Sequence, residues 1–247
     1  MTASQKNRMY RVPPDRAASG SFFDIPSYRM DETMLFSLRL TVQVAVTATV
    51  LMIVFGVSTA YLLARRPFRG RNLVDMLITL PLILPPTVTG YYLIILFGRS
   101  GVIGKWIYEY TGWSIMFTWY AAVLAAFVVS VPLLIKTARA AIESVDQDII
   151  SAAMALGLTE RQIVIHITLP LAKKGIFAGI VLAFARSLGE FGATLMLAGN
   201  IPGKTSTMPL AIYAFANSGE WDKANFLVIL LTFVSGLALF LANRFSR

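Results

Sequence analysis

The sequence predicts an all-α, polytopic integral membrane protein with about five transmembrane helices and one long polar loop. Three observations support this fold class. Hydrophobic residues make up 56% of the 247 positions and charged residues only 14%, and the mean hydropathy is +0.67, which is too apolar for a soluble domain of this size. Several stretches stay apolar over the ~20 residues that a bilayer-spanning helix needs. Between two of them lies a polar segment with the spacing of short helices.

Five apolar stretches are candidate spans, and a sixth is too short to cross a bilayer. The candidates are residues 40–64, 73–97, 114–135, 175–198 and 226–242. The second contains Pro81, Pro85 and Pro86, and each proline removes a backbone donor, so this helix is predicted to be kinked or locally unwound at mid-membrane depth. The short stretch, residues 208–216, is interpreted as a re-entrant or interfacial segment.

Residues 1–35 are predicted to be a flexible N-terminal tail, and residues 36–247 a single membrane domain. The tail is rich in proline and basic residues, and no apolar core of signal-peptide length precedes Phe36. A cleaved signal is therefore not expected.

Basic residues are concentrated on one side of the predicted membrane. That side holds Arg65, Arg66, Arg69, Arg71, Lys136, Arg139, Arg161, Lys173, Lys174, Arg244 and Arg247. The opposite loops hold Arg99, Lys105, Lys204 and Lys223, partly offset by Glu109, Glu220 and Asp222. The positive-inside rule then places the C-terminus in the cytoplasm and the N-terminus outside. The basic N-terminal tail alone favours the reverse orientation.

The polar segment between the third and fourth spans has the pattern of two helices separated by a glycine. Asp146 and Asp148 suit the positive end of a helix dipole, and five apolar residues that follow are spaced for one helix face. These are Ile149, Ile150, Ala153, Met154 and Leu156. Gly157 ends this helix, and Thr159 with Gln162 forms a capping-box pattern for the next. We expect the two short helices to form a compact protrusion that docks into a groove. The alternative is an amphipathic helix lying on the bilayer.

Six residues of this segment fall in a fixed register: Ala152, Ala153, Gly157, Ile167, Leu169 and Pro170. They resemble the cytoplasmic signature loop of binding-protein-dependent ABC importer permeases, although Ser151 stands where that pattern opens with Glu. FARSLGEFGAT, GNIPGKTSTMPLAIY and LPLILPPTVTGYYL resemble the molybdate permeases of these importers, with the sulfate permeases as near relatives. The resemblance extends from about Phe36 to the C-terminus.

The resemblance implies an importer transmembrane domain at 36–247 with a coupling loop at 136–174. It implies three protein partners: a second copy of the chain, a cytoplasmic ATPase dimer docked under residues 146–159, and an extracytoplasmic oxyanion-binding protein. The implied coupling residues are Ser151, Ala152, Ala153, Gly157, Leu158, Leu169 and Pro170. The implied substrate is molybdate, and tungstate and sulfate remain alternatives because these oxyanions share charge and shape.

Two charged residues interrupt the fourth apolar stretch. Arg186 and Glu190 would each be costly against lipid, so both should face protein or water, and their spacing allows them to pair along one helix face. They either line or brace a translocation path or simply fix helix packing. Thr87 and Thr89, beside Pro85 and Pro86, either offer hydroxyl donors to an oxyanion or bond back to their own helix.

Other function classes have little support in the sequence. Cysteine is absent and histidine occurs once, so no metal site and no cofactor are predicted. No catalytic constellation and no basic, aromatic-interleaved patch for nucleic acid are present. AGNIPGKT has Ala198 where a phosphate-binding loop needs its first glycine, so no ATPase site is expected in this chain. The rival interpretations are a gradient-driven secondary transporter that uses Glu190 as an ion site, and a signalling or scaffold subunit without flux.

Overall fold

The computed structural model describes residues 31–65 and 68–246, and these form helices and loops without a β-strand. The predicted all-α fold is confirmed. Most of the predicted tail, together with Arg66 and Arg247, lies outside the described residues.

In chain order the elements are α1 (Glu32–Leu51), a π-helical turn (Met52–Gly56), α2 (Val57–Arg65), α3 (Arg71–Ile83), α4 (Pro86–Phe97), α5 (Gly104–Thr111), α6 (Trp119–Glu143), α7 (Gln147–Ala155), α8 (Glu160–Ile163), a second π-helical turn (Val164–Thr168), α9 (Leu169–Leu188), α10 (Gly192–Ala198), α11 (Met208–Ser218) and α12 (Trp221–Ser246).

Four continuous helical runs among the described residues are long and apolar enough to cross a membrane. They are Glu32–Arg65, Trp119–Glu143, Glu160–Leu188 and Trp221–Leu241. The pair Arg71–Ile83 and Pro86–Phe97 counts as a fifth span if the two bent helices cross together. The prediction of about five spans is therefore confirmed.

The second apolar stretch is broken at its prolines, as the sequence predicts, into a bent pair of helices that forms either a broken span or a re-entrant loop. α3 ends at Ile83 and α4 begins at Pro86, and the two helices are bent by 120°. Leu84 and Pro85 between them are extended, with ψ values of 145° and 136°, because the residue before a proline is driven away from helical backbone angles. Pro81, in contrast, stays inside α3.

The predicted position of the fourth span is wrong. We expected residues 175–198, but the helical run begins at Glu160 and ends at Leu188. Lys173 and Lys174 have the composition of a loop, yet the structure carries them on α9 with their side chains exposed. At the other end, Gly189 interrupts the helix, and residues 192–198 form the separate helix α10.

The core is built around α6, whose alanines allow close helix approach. α6 packs most extensively against α9, and glycines on α9 face it. A Cβ at Gly175 would lie 2.4 Å from the Cβ of Ala141, and one at Gly179 would lie 3.1 Å from Leu134 Cδ1. Small residues in register thus set the spacing of the two central spans.

The short stretch at 208–216 forms α11 and does not stand alone. Met208 and Ala211 on α11 are buried against Met34 of α1 and Leu227 of α12. The backbone N–H of Met208 donates a hydrogen bond to Thr41 Oγ1 at 2.7 Å. α11 is therefore a packed half-length helix that ties the first span to the last.

Candidate functional site

The break between α3 and α4 lies beside the break between α9 and α10. A Cβ at Gly192, the first residue of α10, would lie 3.0 Å from Pro86 Cβ and 3.1 Å from the Thr87 backbone nitrogen. A Cβ at Gly90 on α4 would lie 2.8 Å from the Cα of Ala193. α4 and α10 are thus in backbone contact that only glycine permits. We call this contact, formed by Pro86–Gly90 and Gly192–Met196, the junction.

The ion pair between Arg186 and Glu190 holds the break beside the junction. Arg186 Nη1 lies 3.0 Å from Glu190 Oε2, and the other carboxylate oxygen, Oε1, accepts a hydrogen bond of 2.9 Å from the Ala193 N–H. Only 2% of the Glu190 side chain is exposed, against 33% for Arg186. Glu190 therefore compensates a charge at the end of α9 and satisfies a backbone donor at the start of α10.

The prolines and threonines predicted for a path lie within the junction or directly before it. Pro86 and Thr87 contact Gly192, Pro85 precedes them with its ring exposed, and Thr89 is buried one turn along α4. Among the described residues, Thr89 Oγ1 has no hydrogen-bond partner, and neither has Ser130 Oγ on α6. Thr89 and Ser130 therefore do not bond back to their own helices.

The polar segment folds as the sequence predicts, into two helices separated by a glycine. Asp146 caps α7 and accepts a hydrogen bond of 2.8 Å from the Asp148 N–H. Gly157 has φ +83°, a left-handed conformation that disfavours any side chain. Thr159 and Gln162 then form the predicted capping box at the start of α8.

The apolar residues that the sequence spaces for one helix face are not all buried within the chain. Ile150 and Ala153 are buried, whereas Ile149, Met154 and Leu156 are exposed by 46%, 57% and 81%. α7 is only nine residues long and ends just before Leu156. This leucine therefore lies in the turn between α7 and α8, which we call the tip of the loop. Exposed apolar groups on a polar loop are typical of a contact surface.

The predicted coupling residues are divided between the surface and the core. Four are exposed, namely Ser151, Ala152, Gly157 and Pro170. Ala153 is buried, and Leu158 and Leu169 pack partly against the core. Met154 and Leu156 were not among the predicted coupling residues, and their exposure is the signal that adds them to this surface.

A charge network joins α3 to α6, and sequence reasoning missed it. Asp75 lies 2.8 Å from Lys136 and 3.0 Å from Arg139. Glu143 lies 2.8 Å from Arg139 and 2.9 Å from Arg71. None of the 13 residues of α3 is buried, so these ion pairs are the main polar anchor of the helix. Only the Arg139–Glu143 pair, four residues apart on one helix, has a signal in the sequence.

Comparison with known proteins places this fold in a class. The fold matches a membrane chain of the MetNI methionine ABC transporter in an inward-facing conformation, with a TM-score of 0.68, 20% identity, and coverage of 88% of this chain and 98% of that one. It also matches a chain of a bacterial alginate ABC transporter, with a TM-score of 0.72, 17% identity, and coverage of 88% and 80%. The fold is thus that of an ABC transporter membrane subunit.

The sequence gives the family. Residues 31–247 match the family described as binding-protein-dependent transport system inner membrane component, and the chain belongs to it. It is a multi-pass inner-membrane transport subunit. The molybdenum transport system permease protein ModB of Haemophilus influenzae is 40% identical over 212 residues, covering 85% of this chain and 93% of that protein. ModB of Escherichia coli K12 is 44% identical over 192 residues, covering 77% and 84%.

Proposed function

We propose that this chain is the permease subunit of an ATP-driven importer of molybdate. The observation that carries the substrate is the identity of 40–44% to molybdenum transport system permease proteins over most of both chains. The junction supports a translocation role, because two discontinuous helices meet there and the Thr89 hydroxyl within it has no hydrogen-bond partner. Broken helices at a substrate site are a recurrent feature of transporters.

The path lies at the interface of two copies of the chain, and the oxyanion passes the junction in each copy. Pro85 and Thr87 are exposed at the start of α4, where the helix N-terminus carries a partial positive charge that favours an anion. The Arg186–Glu190 pair braces this site, since Glu190 is buried and already has two partners. An extracytoplasmic oxyanion-binding protein delivers the substrate.

The energy comes from a separate cytoplasmic ATPase dimer that contacts α7 and the tip at Leu156. α7 contacts α8, and the helical run from Glu160 to Leu188 is continuous. It ends beside the Arg186–Glu190 pair and the junction. A displacement of the coupling loop is therefore carried along one rigid span to the junction.

The chain has no ATPase site of its own in this proposal. The sequence AGNIPGKT follows α10 rather than a strand, and its loop closes on itself. Thr205 Oγ1 accepts a hydrogen bond of 3.0 Å from the Ile201 N–H and donates one of 3.2 Å to the Gly199 carbonyl. A phosphate cradle needs those backbone donors directed at the ligand.

The rival function, a gradient-driven carrier that uses Glu190 as its ion site, is less well supported. Its carboxylate already has an arginine partner and a backbone donor, so a cation would have to displace Arg186. Sulfate and tungstate remain the alternative substrates.

The test is uptake of labelled molybdate into proteoliposomes that contain the chain, its ATPase and its binding protein. We expect uptake that requires ATP and persists in excess sulfate. Uptake that excess sulfate abolishes would transfer the assignment to a sulfate permease. Competition by tungstate in the same assay decides whether the two metal oxyanions share the path.

A further inference from the structure

An apolar groove of about 840 Å³ lies on the surface between the first and fourth spans. One wall is formed by Ile53, Val54 and Val57, and the other by Ile176, Phe177 and Ile180. Ile53 and Val54 belong to the π-helical turn Met52–Gly56, and the second π-helical turn ends directly before Leu169 at the edge of the groove. A π turn inserts an extra residue that displaces the helix surface, and residues of the first π turn form part of the groove wall.

The groove opens to the outside of the described helices. Ile53 is exposed by 40%, Val54 by 56% and Phe177 by 38%. The wall residues lie on two transmembrane runs, so the surroundings of the groove are the hydrocarbon of the bilayer. A space of this size between lipid-facing side chains must be filled by something apolar, because water there would meet almost no polar partner.

Two lysines line the groove about one helical turn along α9 from Leu169, which lies at its edge. Lys173 and Lys174 line it together with the apolar walls, and both side chains are exposed. Lys173 has no carboxylate within ion-pair distance among the described residues, whereas Lys174 already has an interaction partner within the chain. Ile180, at the apolar end, lies about 10 Å further along α9 at 1.5 Å per residue. The groove thus has a cationic pair near its Leu169 edge and an apolar body that extends about two helical turns beyond that pair.

We infer that this groove binds an anionic phospholipid of the cytoplasmic leaflet. The phosphate lies at Lys173 and Lys174, and one acyl chain lies between the π-helical turn and α9. The charge pattern selects this occupant over the others. A free oxyanion would make no favourable contact with the apolar walls. An apolar helix of a second copy would offer no negative charge to the two lysines. The inference uses the proposed orientation for the choice of leaflet but does not depend on the transported substrate.

The test is native mass spectrometry of the delipidated permease complex, titrated with phosphatidylglycerol or phosphatidylcholine of identical acyl chains. A lysine near an anionic lipid surface contributes enough to raise binding about fivefold. Because Lys174 already has a partner within the chain, the expected preference for phosphatidylglycerol lies between about fivefold for one lysine and about 30-fold for two. We expect Lys173→Gln with Lys174→Gln to abolish that preference and leave phosphatidylcholine binding unchanged. The matched control is Arg244→Gln, an exposed charge at the end of another span, which should keep the preference.

A second pair of variants tests the apolar body. Val54→Trp fills the groove and should lower binding of both lipids, whereas Val46→Trp, exposed by 49% on the same helix but outside the groove, should not. Equal binding of the two lipids by the wild type, or an unchanged preference in the lysine variant, overturns the inference. The same spectra report the number of copies in the complex. A loss of one copy in Val54→Trp with unchanged lipid binding would instead assign the groove to a second chain.

Discussion

At the scale of single residues, Gly157 is required by its backbone and not by its surroundings. Its φ of +83° is left-handed, and no described atom lies within 4 Å of a Cβ built there. A side chain at this position therefore changes the local path of the chain without a clash elsewhere. The residue separates α7 from α8, where the proposed ATPase contact is turned into motion of the fourth span.

We expect Gly157→Val to uncouple ATP hydrolysis from molybdate uptake in proteoliposomes. A β-branched residue in the left-handed region costs about 1–2 kcal/mol, which tilts α7 but leaves the buried core intact. The matched control is Gly219→Val, because Gly219 has φ +80° and equally open space at the end of α11. Gly219→Val should lose similar stability and keep coupling. Wild-type uptake by Gly157→Val would remove the coupling role of this loop.

Glu190 is the residue whose loss should cost most stability at the junction. Replacement by alanine leaves the Ala193 N–H without its acceptor, which costs about 1–3 kcal/mol, while Arg186 is exposed enough to be hydrated. Glu190→Gln keeps an acceptor and should cost less than about 1 kcal/mol. The control Glu109→Ala breaks an exposed pair with Lys105 and should be nearly neutral. Thermal unfolding of the purified protein measures all three.

The same Glu190 variants distinguish a structural role of this residue at the helix break from a role as an ion-binding site. If Glu190 braces the break, Glu190→Gln retains ATP-dependent uptake with an unchanged dependence on pH. A carrier that moves protons on Glu190 would lose its pH dependence together with its flux. That second result would favour the gradient-driven alternative.

At the scale of helices, the contact between α4 and α10 is the closest approach of the two broken elements. We expect Gly90→Ala to weaken uptake strongly, since its Cβ would lie 2.8 Å from both the Ala193 Cα and the Met196 Cβ. Backbone that close cannot give way without moving α10. Gly236→Ala on α12 is the matched control, because no described atom lies within 4 Å of its Cβ and alanine favours a helix. Equal uptake by the two variants would show that the junction tolerates separation.

The sequence predicts the elements whose signals are local. The prolines after Ile83 predict the broken second span, and Gly157 with the Thr159–Gln162 pattern predicts the two-helix loop. The structure departs where the deciding contacts are distant in sequence. The fourth span extends back to Glu160, because packing on α6 carries two lysines that composition alone assigns to a loop.

The candidate site shows the same division. The pairing of Arg186 with Glu190 follows from a spacing of four residues, and the structure confirms it. The contact of Gly192 with Pro86 joins segments about 100 residues apart and has no local signal. The ion pair between Asp75 and Lys136 likewise depends on how α3 packs against α6.

At the scale of the whole molecule, the orientation in the membrane is a proposal that the absence of cysteine makes simple to test. Single cysteines at Ser151 and Ser218, both exposed, lie on opposite sides of the membrane in our topology. We expect a membrane-impermeant maleimide to label Ser218→Cys in intact cells and Ser151→Cys only after lysis. The reverse pattern would invert the topology and place α7 away from any cytoplasmic ATPase.

The fold also defines what one copy lacks. α3 has no buried residue, and apolar residues of α3 and α4, such as Leu77, Ile83 and Tyr91, are more than half exposed. These helices form the side of the junction that a second copy would cover in the proposed dimer. In the proposed importer, a single chain would supply half of the path, and the ATPase partner would supply the energy.

The measurement that tests this account most directly is molybdate flux into proteoliposomes assembled with and without each partner. We predict flux only when the chain, its ATPase, its binding protein and ATP are all present, because the chain supplies the path and the partners supply substrate and energy. Flux through the chain alone, driven by an ion gradient, would contradict the account.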